Sequence, residues 1–168
     1  MSKPILADDL VAQLDDFRRR LEILERTARN PNVSTAASGA QAAEVVPLQT
    51  TNSTSYGDLA TAGPAVTVNV QQSGLLVLLY GHFADHANNS EAFMAFELSG
   101  ANTRAPVDAD AASLLTLIVG GFSNRATIAR AKRLSGLQPG ATTVTAKYRL
   151  SIGTAAWFGQ RWLLALPL

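Results

Sequence analysis

The segment from Gly81 to His86 carries the densest set of chemically capable side chains in this chain of 168 residues. His82 and His86 lie close to Asp85, and imidazole and carboxylate groups are ligands that zinc accepts. On an extended strand the two histidines would share a face but stand about 13 Å apart. One histidine per chain could still meet its symmetry mates on the axis of a trimer. We predict instead that both are loop-end or surface residues, with no metal and no cofactor bound.

No other residue set meets the minimum for catalysis. The chain has no cysteine, which excludes a thiolate nucleophile, a disulfide framework and a thiolate metal site. No serine sits in a nucleophile elbow, and no glycine loop of the phosphate-binding kind is present. Asp108 and Asp110 could form a carboxylate pair, but their alanine-rich flanks predict a solvated loop. We therefore predict that the protein is not an enzyme.

Three aromatic residues near the C-terminus, Trp157, Phe158 and Trp162, are candidates for ligand contact. If exposed, their rings could stack on a sugar. Tryptophan usually buries most of its area, so packing in a core or an interface is the preferred interpretation.

The net charge of +1 hides a strong segregation of charge along the chain. Residues 30–124 carry seven acidic side chains and one basic one, whereas residues 125–168 carry seven basic side chains and no acidic one. A basic segment suggests nucleic acid, but these bases are spread over strand-like segments without a dense cluster. In an antiparallel domain late strands pair with early ones, and opposite charges across strands attract. We predict internal ion pairing and no nucleic-acid partner.

Residues 1–28 predict a short coiled coil that serves for attachment. Apolar residues recur at alternating spacings of three and four, the a/d pattern of a coiled coil, and acidic residues precede basic ones at i,i+4. An amphipathic helix packed on its own domain would show a wider apolar stripe. About three heptads are too few to be stable alone, so the rest of the chain must help hold an oligomer together. The predicted seam residues in the interface are Leu10, Leu14, Phe17, Leu21 and Leu24.

Residues 29–47 follow as a segment rich in Ala, Ser and Gly, which predicts a linker or an extended arm laid on a neighbour. Residues 48–168 then change to a period of two, with turn signals between short segments, which predicts an antiparallel β-sandwich of the jelly-roll type. No apolar run approaches the roughly 18 residues that a membrane span needs. The predicted strands are 66–70, 75–83, 91–98, 113–119, 126–134, 143–152, 155–158 and 161–166.

Some of these strands are apolar on both faces, although a sandwich strand needs only one buried face. In 75–83, one face carries Leu75, Val77, Leu79 and Phe83, and the other carries Leu76, Leu78 and Tyr80. A symmetry mate is the simplest cover for the second face. The β-domain residues predicted to lie in an oligomer interface are Leu76, Leu78, Leu115, Leu117 and Trp162.

Three stretches carry a resemblance to a known group of proteins. They are the end of the helix at 19–26 with the spacer that follows it, residues 54–68, and residues 137–149 with Arg161-Trp162-Leu163. The chain resembles small virion proteins of phages and prophages of actinobacteria, of the minor tail or tail-fibre-like kind. The resemblance implies a homotrimeric particle component. Its helix would attach to other virion proteins, and its β-domain would point outward toward a host surface and its glycans.

Two other functions remain open on the sequence. A capsid-exterior decoration or head-fibre protein that stabilises the shell would have the same length and organisation. A cytoplasmic carbohydrate-binding module or small enzyme is the other, and a binding module would use the C-terminal aromatic residues. The three hypotheses share the β-domain and differ in what it contacts or acts on.

Overall fold

The computed structural model describes residues 39–71, 74–85, 90–116, 124–152 and 155–168. The chain divides into two compact units, Met1–Thr35 and Ala36–Leu168. The described residues all belong to the second unit. The predicted coiled coil, including its seam residues from Leu10 to Leu24, lies outside the described residues.

The described part of the second unit is built mainly of β-strands, as the period of two predicts. A short 3₁₀ turn lies at Asp108–Asp110. The strands are β1 (Gln41–Val45), β2 (Gln49–Thr51), β3 (Ala65–Val70), β4 (Leu75–Asp85), β5 (Ser90–Gly100), β6 (Ala112–Thr116), β7 (Asn124–Leu134), β8 (Gly140–Leu150) and β9 (Ala156–Pro167).

Two antiparallel sheets form a jelly roll. The first sheet has the order β1-β9-β4-β7, with β2 also paired to β9, and the second has the order β3-β8-β5-β6. The pairs are nested along the chain: β1 joins β9, β3 joins β8, β4 joins β7, and β5 joins β6. This nesting is the strand order of a jelly roll. The predicted antiparallel sandwich is therefore confirmed.

The core lies between the sheets and follows the predicted alternation. On β4, Leu75, Val77, Leu79 and Phe83 are buried at 2% exposure or less, and the alternate residues Leu76, Leu78, Tyr80 and His82 face outward. Phe83 meets Phe158 of β9 in an edge-to-face contact with ring centroids 5.2 Å apart, an arrangement that aromatic pairs prefer. Phe158 is thus a core residue, which agrees with the prediction that the C-terminal aromatic residues pack in a core or an interface.

Two boundaries differ from the sequence prediction. Strand β1 lies inside residues 29–47, so the sheet extends further toward the N-terminus than the predicted boundary at residue 48. The predicted strands 155–158 and 161–166 form the single strand β9. A bulge absorbs the break between them: the register shifts opposite Tyr80 and His82, and Gln160 takes a positive φ of 45°. One extra residue in a bulge keeps a ladder continuous across such a break.

The connection from β2 to β3 crosses between the sheets, and buried side chains hold it by hydrogen bonds to its carbonyl groups. Arg161 on β9 is fully buried. Its Nη2 donates to Oε1 of Gln49 at 2.9 Å, and its Nη1 lies 3.4 Å from the carbonyl oxygens of Thr61 and Gly63. The hydroxyl of Tyr148 donates to the same Gly63 oxygen at 2.8 Å. Carbonyl dipoles thus replace the water that this cation loses on burial.

The predicted pairing of late basic residues with earlier acidic ones is confirmed. Lys147 on β8 contacts Asp58 at 3.0 Å and Glu97 of β5 at 3.2 Å. Arg149 pairs with Asp108. Of the seven basic residues after residue 124, Lys132, Lys147 and Arg149 are thus paired with described carboxylates that precede them in sequence.

Candidate interaction surface

The outward face of the first sheet carries three cross-strand pairs of large apolar side chains. Strand register places Leu76 beside Leu166, Leu78 beside Leu164, and Tyr80 beside Trp162. All six positions belong to the outward set of alternating residues, so none contributes to the core between the sheets. Tyr80 is 37% exposed, and the other five are half-buried. We call these six residues the apolar face.

Small and charged residues border the apolar face. Ala129 and Ala131 of β7 lie next to Tyr80 and Leu78. Glu44 on β1 is the neighbour of Trp162 on the opposite side. Low side chains beside tall ones leave a shallow depression of about 400 Å³ near Leu78, Tyr80, Trp162, Ala129 and Glu44. The surface is therefore concave and apolar, with charge at its edge.

On the outward face of the second sheet, the chain itself covers the apolar residues of β5. Phe93 and Ala95 on β5 pack against Ala111 and Tyr56. The guanidinium of Arg149 lies over the ring of Phe93, 4.1 Å from its centroid. The Tyr56 hydroxyl donates a hydrogen bond to Asp108 at 2.9 Å. Burial and this neighbouring carboxylate raise the pKa of Tyr56. Among the described residues, the apolar face has no comparable cover.

The structure brings together only some of the predicted interface residues. Leu76, Leu78 and Trp162 lie side by side on the apolar face. Leu115 is 53% exposed but lies on β6, the edge strand of the second sheet, so it belongs to a different surface. Leu117 lies outside the described residues. The sequence prediction left out Leu164 and Leu166, although the same period of two that selects Leu76 and Leu78 selects them as well.

A second feature, here called the groove, lies at the other end of the same outward face. It has a volume of about 410 Å³ and is lined by Leu48, His82, Phe83, Ala84, Arg125, Ala126, Thr127 and Trp157. In the register, Trp157 of β9, Ala84 of β4 and Arg125 of β7 occupy one row across three neighbouring strands. Because Ala84 has the shortest side chain of the row, it forms a floor between an aromatic wall and a cationic wall.

The next row of the groove has polar side chains on β4 and β7 and a glycine on β9. His82 stands between Gly159 and Thr127, and its Nε2 lies 3.4 Å from the Tyr80 hydroxyl. Leu48, which is 62% exposed, covers Gly159, because a Cβ built on that glycine would lie 3.2 Å from Cδ1 of Leu48. The groove thus has one apolar rim, and hydrogen-bonding groups point into it.

The structure shows a different environment for Asp110 than the predicted solvated loop. Its side chain is 1% exposed, and it binds Lys132 at 2.6 Å through Oδ1 and Nε of Arg104 at 3.0 Å through Oδ2. Burial would raise the pKa of Asp110, but the hydrogen bonds from Lys132 and Arg104 outweigh it and lower that pKa. The prediction of a solvated loop was wrong for Asp110. Lys132 lies at an inward position of edge strand β7, and the loop packs over it so that Asp110 can pair with its ammonium group.

The predicted histidine pair is only half described, because His86 lies outside the described residues. Within the described ranges, no group of three or more His, Cys, Asp or Glu side chains is placed to hold a metal ion. Within the same ranges, no helix has the length and hydrophobicity needed to cross a membrane.

The chain matches no protein-family model and no curated protein sequence. Among solved structures, it is similar to Eiger TNF from S. frugiperda, with 12% identity, a TM-score of 0.49, and coverage of 77% of this chain and 93% of that one. It is also similar to the globular domain of zebrafish complement 1qA, with 12% identity, a TM-score of 0.35, and coverage of 72% and 94%. A third is a family 35 carbohydrate-binding module from Clostridium thermocellum, with 17% identity, a TM-score of 0.31, and coverage of 79% and 95%. None of these values identifies a ligand or an activity for this chain.

Proposed function

We propose that this protein is a non-enzymatic structural protein that assembles as a homotrimer through the apolar face. The observation that carries the proposal is the ladder of three apolar cross-strand pairs from Leu76 to Trp162 on a face that no other described residue covers. Burial of apolar area contributes about 25 cal/mol per Å², and contiguous exposed apolar patches mark interaction sites. A second copy of the chain supplies a matching surface.

The charges at the borders of the apolar face favour a second copy over an unrelated partner. Glu44 lies on β1 and Arg133 on β7, which are the opposite edge strands of the sheet. Neither side chain forms an ion pair with another described residue. In a closed ring, each subunit would turn one edge toward the other edge of its neighbour. Glu44 of one subunit would then face Arg133 of the next.

We place this oligomer in a phage particle, as a tail-fibre or minor tail component attached to other virion proteins through residues 1–28. The resemblance of the three stretches in the sequence supports this role. The alternative is a capsid-exterior decoration or head-fibre protein with the same assembly. Gold-labelled antibodies against the β-domain, imaged on intact particles, distinguish the two: label on the tail supports the first role, and label on the shell supports the second. Absence of label from particles contradicts both.

Light scattering of the full chain, combined with paired substitutions, tests the oligomer. We expect a trimer for the wild type and a clearly lower mass for Leu78→Asp with Leu164→Asp, because each carboxylate would be buried without a partner. Leu115→Asp is the matched control: it places the same charge on an exposed leucine of the other sheet and should leave the trimer intact. A monomeric wild type, or equal effects of both variants with the β-fold retained, would contradict the proposal.

A second candidate function is carbohydrate binding, and the groove is the specific observation that favours it. Trp157 lines the groove together with His82, Arg125 and Thr127. This function is compatible with the first, because the groove and the apolar face occupy opposite ends of the outward surface. A trimer built on the apolar face would leave the groove at its rim.

A further inference from the structure

We propose that the groove binds an acidic saccharide, with its carboxylate on Arg125 and its sugar ring against Trp157. The proposal rests on the binding role proposed above, and it assigns that role a site and a ligand class. It starts from the row Trp157–Ala84–Arg125, which crosses β9, β4 and β7.

The spacing of this row suits one sugar ring. Neighbouring strands lie about 4.8 Å apart, so the backbones that carry Trp157 and Arg125 stand about 10 Å apart with Ala84 between them. The groove volume of about 410 Å³ falls in the range of small-molecule sites. A pyranose ring can therefore enter between the two walls and rest on the Ala84 methyl group.

Each lining side chain offers one kind of contact with such a ligand. The Trp157 ring is half-buried at the wall of the groove and can pack against the C–H face of a sugar. The Arg125 guanidinium is exposed and forms no ion pair with a described side chain, so its fork is available for a bidentate carboxylate contact. His82 and Thr127 can exchange hydrogen bonds with sugar hydroxyls.

The charge pattern favours a sugar acid over the other anionic or neutral ligands. Among the described residues, no carboxylate lines the groove, so the described acceptors of the kind that commonly bind neutral sugar hydroxyls are few. A nucleic acid would require several cations along its backbone, but the next outward basic residue of β7 is Arg133, at the far end of the strand. One guanidinium beside one indole matches a ring that bears a single carboxylate.

Calorimetric titration of the full chain with digalacturonate, and with digalactose as its neutral counterpart, tests the proposal. We expect digalacturonate to bind at least tenfold more tightly. Arg125→Gln should remove this preference, because charge-assisted hydrogen bonds are about twice as strong as neutral ones. Arg130→Gln is the matched control, since it removes an exposed arginine from the same strand, outside both the groove and the borders of the apolar face, and should bind like the wild type.

A second pair of variants tests the aromatic wall. Trp157→Ala should weaken the binding of both sugars about tenfold. Thr127→Trp fills the groove from an exposed position and should abolish binding even if Trp157→Ala fails to fold. Equal affinity for both sugars, wild-type binding by Arg125→Gln or Thr127→Trp, or inorganic phosphate binding as tightly as digalacturonate would overturn the proposal. The light-scattering mass of each variant is independent of these results, so failure of the sugar site is distinguishable from failure of the trimer.

Discussion

Asp110 is an almost fully buried carboxylate held between two cations, Arg104 and Lys132. The cationic side chains are 41% and 32% exposed, so water solvates part of their charge and screens the attraction. Asp108 is held in a similar way at the surface, where the hydrogen bond from Arg149 lowers its pKa. Both carboxylates belong to the connection between β5 and β6, which Asp110 ties to β7 through Lys132 and Asp108 ties to β8 through Arg149. Their ionisation therefore bears on whether this connection stays in place.

We predict that the domain loses stability in acid because of these two carboxylates. Their pKa values are lowered in the folded state, so their stabilisation is present above the ordinary carboxyl pKa of about 4 and is lost as pH falls through the folded values. The melting temperature should be nearly constant between about pH 5 and 8 and should fall as the pH drops below about 4. A melting temperature that rises on acidification would contradict this.

Asp110→Asn isolates the contribution of one carboxylate. It keeps the size of the side chain and removes its charge, leaving two partly solvated cations that water can compensate. We expect a loss of about 1–2 kcal/mol at pH 7 and a shallower decline below pH 4, measured by urea unfolding. The control is Glu91→Gln on β5, a carboxylate without a described ion pair and outside the apolar face, which should change neither the stability nor the slope.

The two histidines give a second prediction at the residue scale. His82→Gln with His86→Gln keeps hydrogen-bonding capacity and removes metal affinity and basicity. We predict no loss of oligomer and a change in stability of less than about 1 kcal/mol. Elemental analysis of the wild type checks the same point independently. One metal ion per trimer that disappears in the double variant, together with several degrees of melting temperature, would instead make the pair an axial structural site.

At the scale of elements, β9 determines how the outward face is arranged. Its bulge lets outward positions continue past Gly159, so that Trp162 and Trp157 both face outward while Phe158 packs in the core. Without the shift at Gln160, the two ends of the strand would present opposite faces. The apolar face and the groove therefore depend on one irregular residue.

We predict that Gln160→Gly stabilises the domain slightly. Gln160 is exposed and has a φ of 45°, a conformation that costs an L-residue about 1 kcal/mol and glycine almost nothing. Because glycine also loses more entropy on folding, the net gain should be a few tenths of a kcal/mol and at most about 1. Thr50→Gly on β2 is the control, an exposed strand position with no such φ, and should destabilise. Equal losses of stability in the two variants would contradict a positive φ at Gln160.

The sequence predicts the elements better than it predicts their irregularities. The alternation of Leu75, Val77 and Leu79 with Leu76 and Leu78 identifies β4 and both of its faces, because burial acts on a period of two. The same rule misses the continuity of β9, since a bulge changes the phase of the alternation within one strand. It also misses the burial of Asp110, which depends on a cation from a strand distant in sequence.

The groove was only partly predictable for the same reason. The aromatic residues near the C-terminus and His82 stand out by type, but nothing local indicates that Arg125 and Ala84 join Trp157 in one row. That row exists only because β4 pairs with both β7 and β9. Site residues that come from three strands become neighbours through topology, which a single sequence does not display.

At the scale of the whole molecule, we predict two linked interfaces: a coiled-coil seam in residues 1–28 and the apolar face of the β-domain. About three heptads are marginal alone, so the apolar face must help to hold the oligomer together. Because one chain carries both, association through one makes association through the other intramolecular, and overall affinity exceeds either alone. The two interfaces should therefore depend on each other.

Paired substitutions measured by light scattering over a range of concentrations test this dependence. Leu14→Asp with Leu21→Asp should raise the concentration at which the trimer dissociates and leave the β-domain folded by circular dichroism. Leu78→Asp with Leu164→Asp should do the same from the other interface, and the fourfold variant should be monomeric throughout. If the seam variant assembles like the wild type, residues 1–28 are not an oligomer interface, and the apolar face alone holds the trimer. If the fourfold variant still forms a trimer, neither surface is the interface, because four buried charges without partners would each cost several kcal/mol.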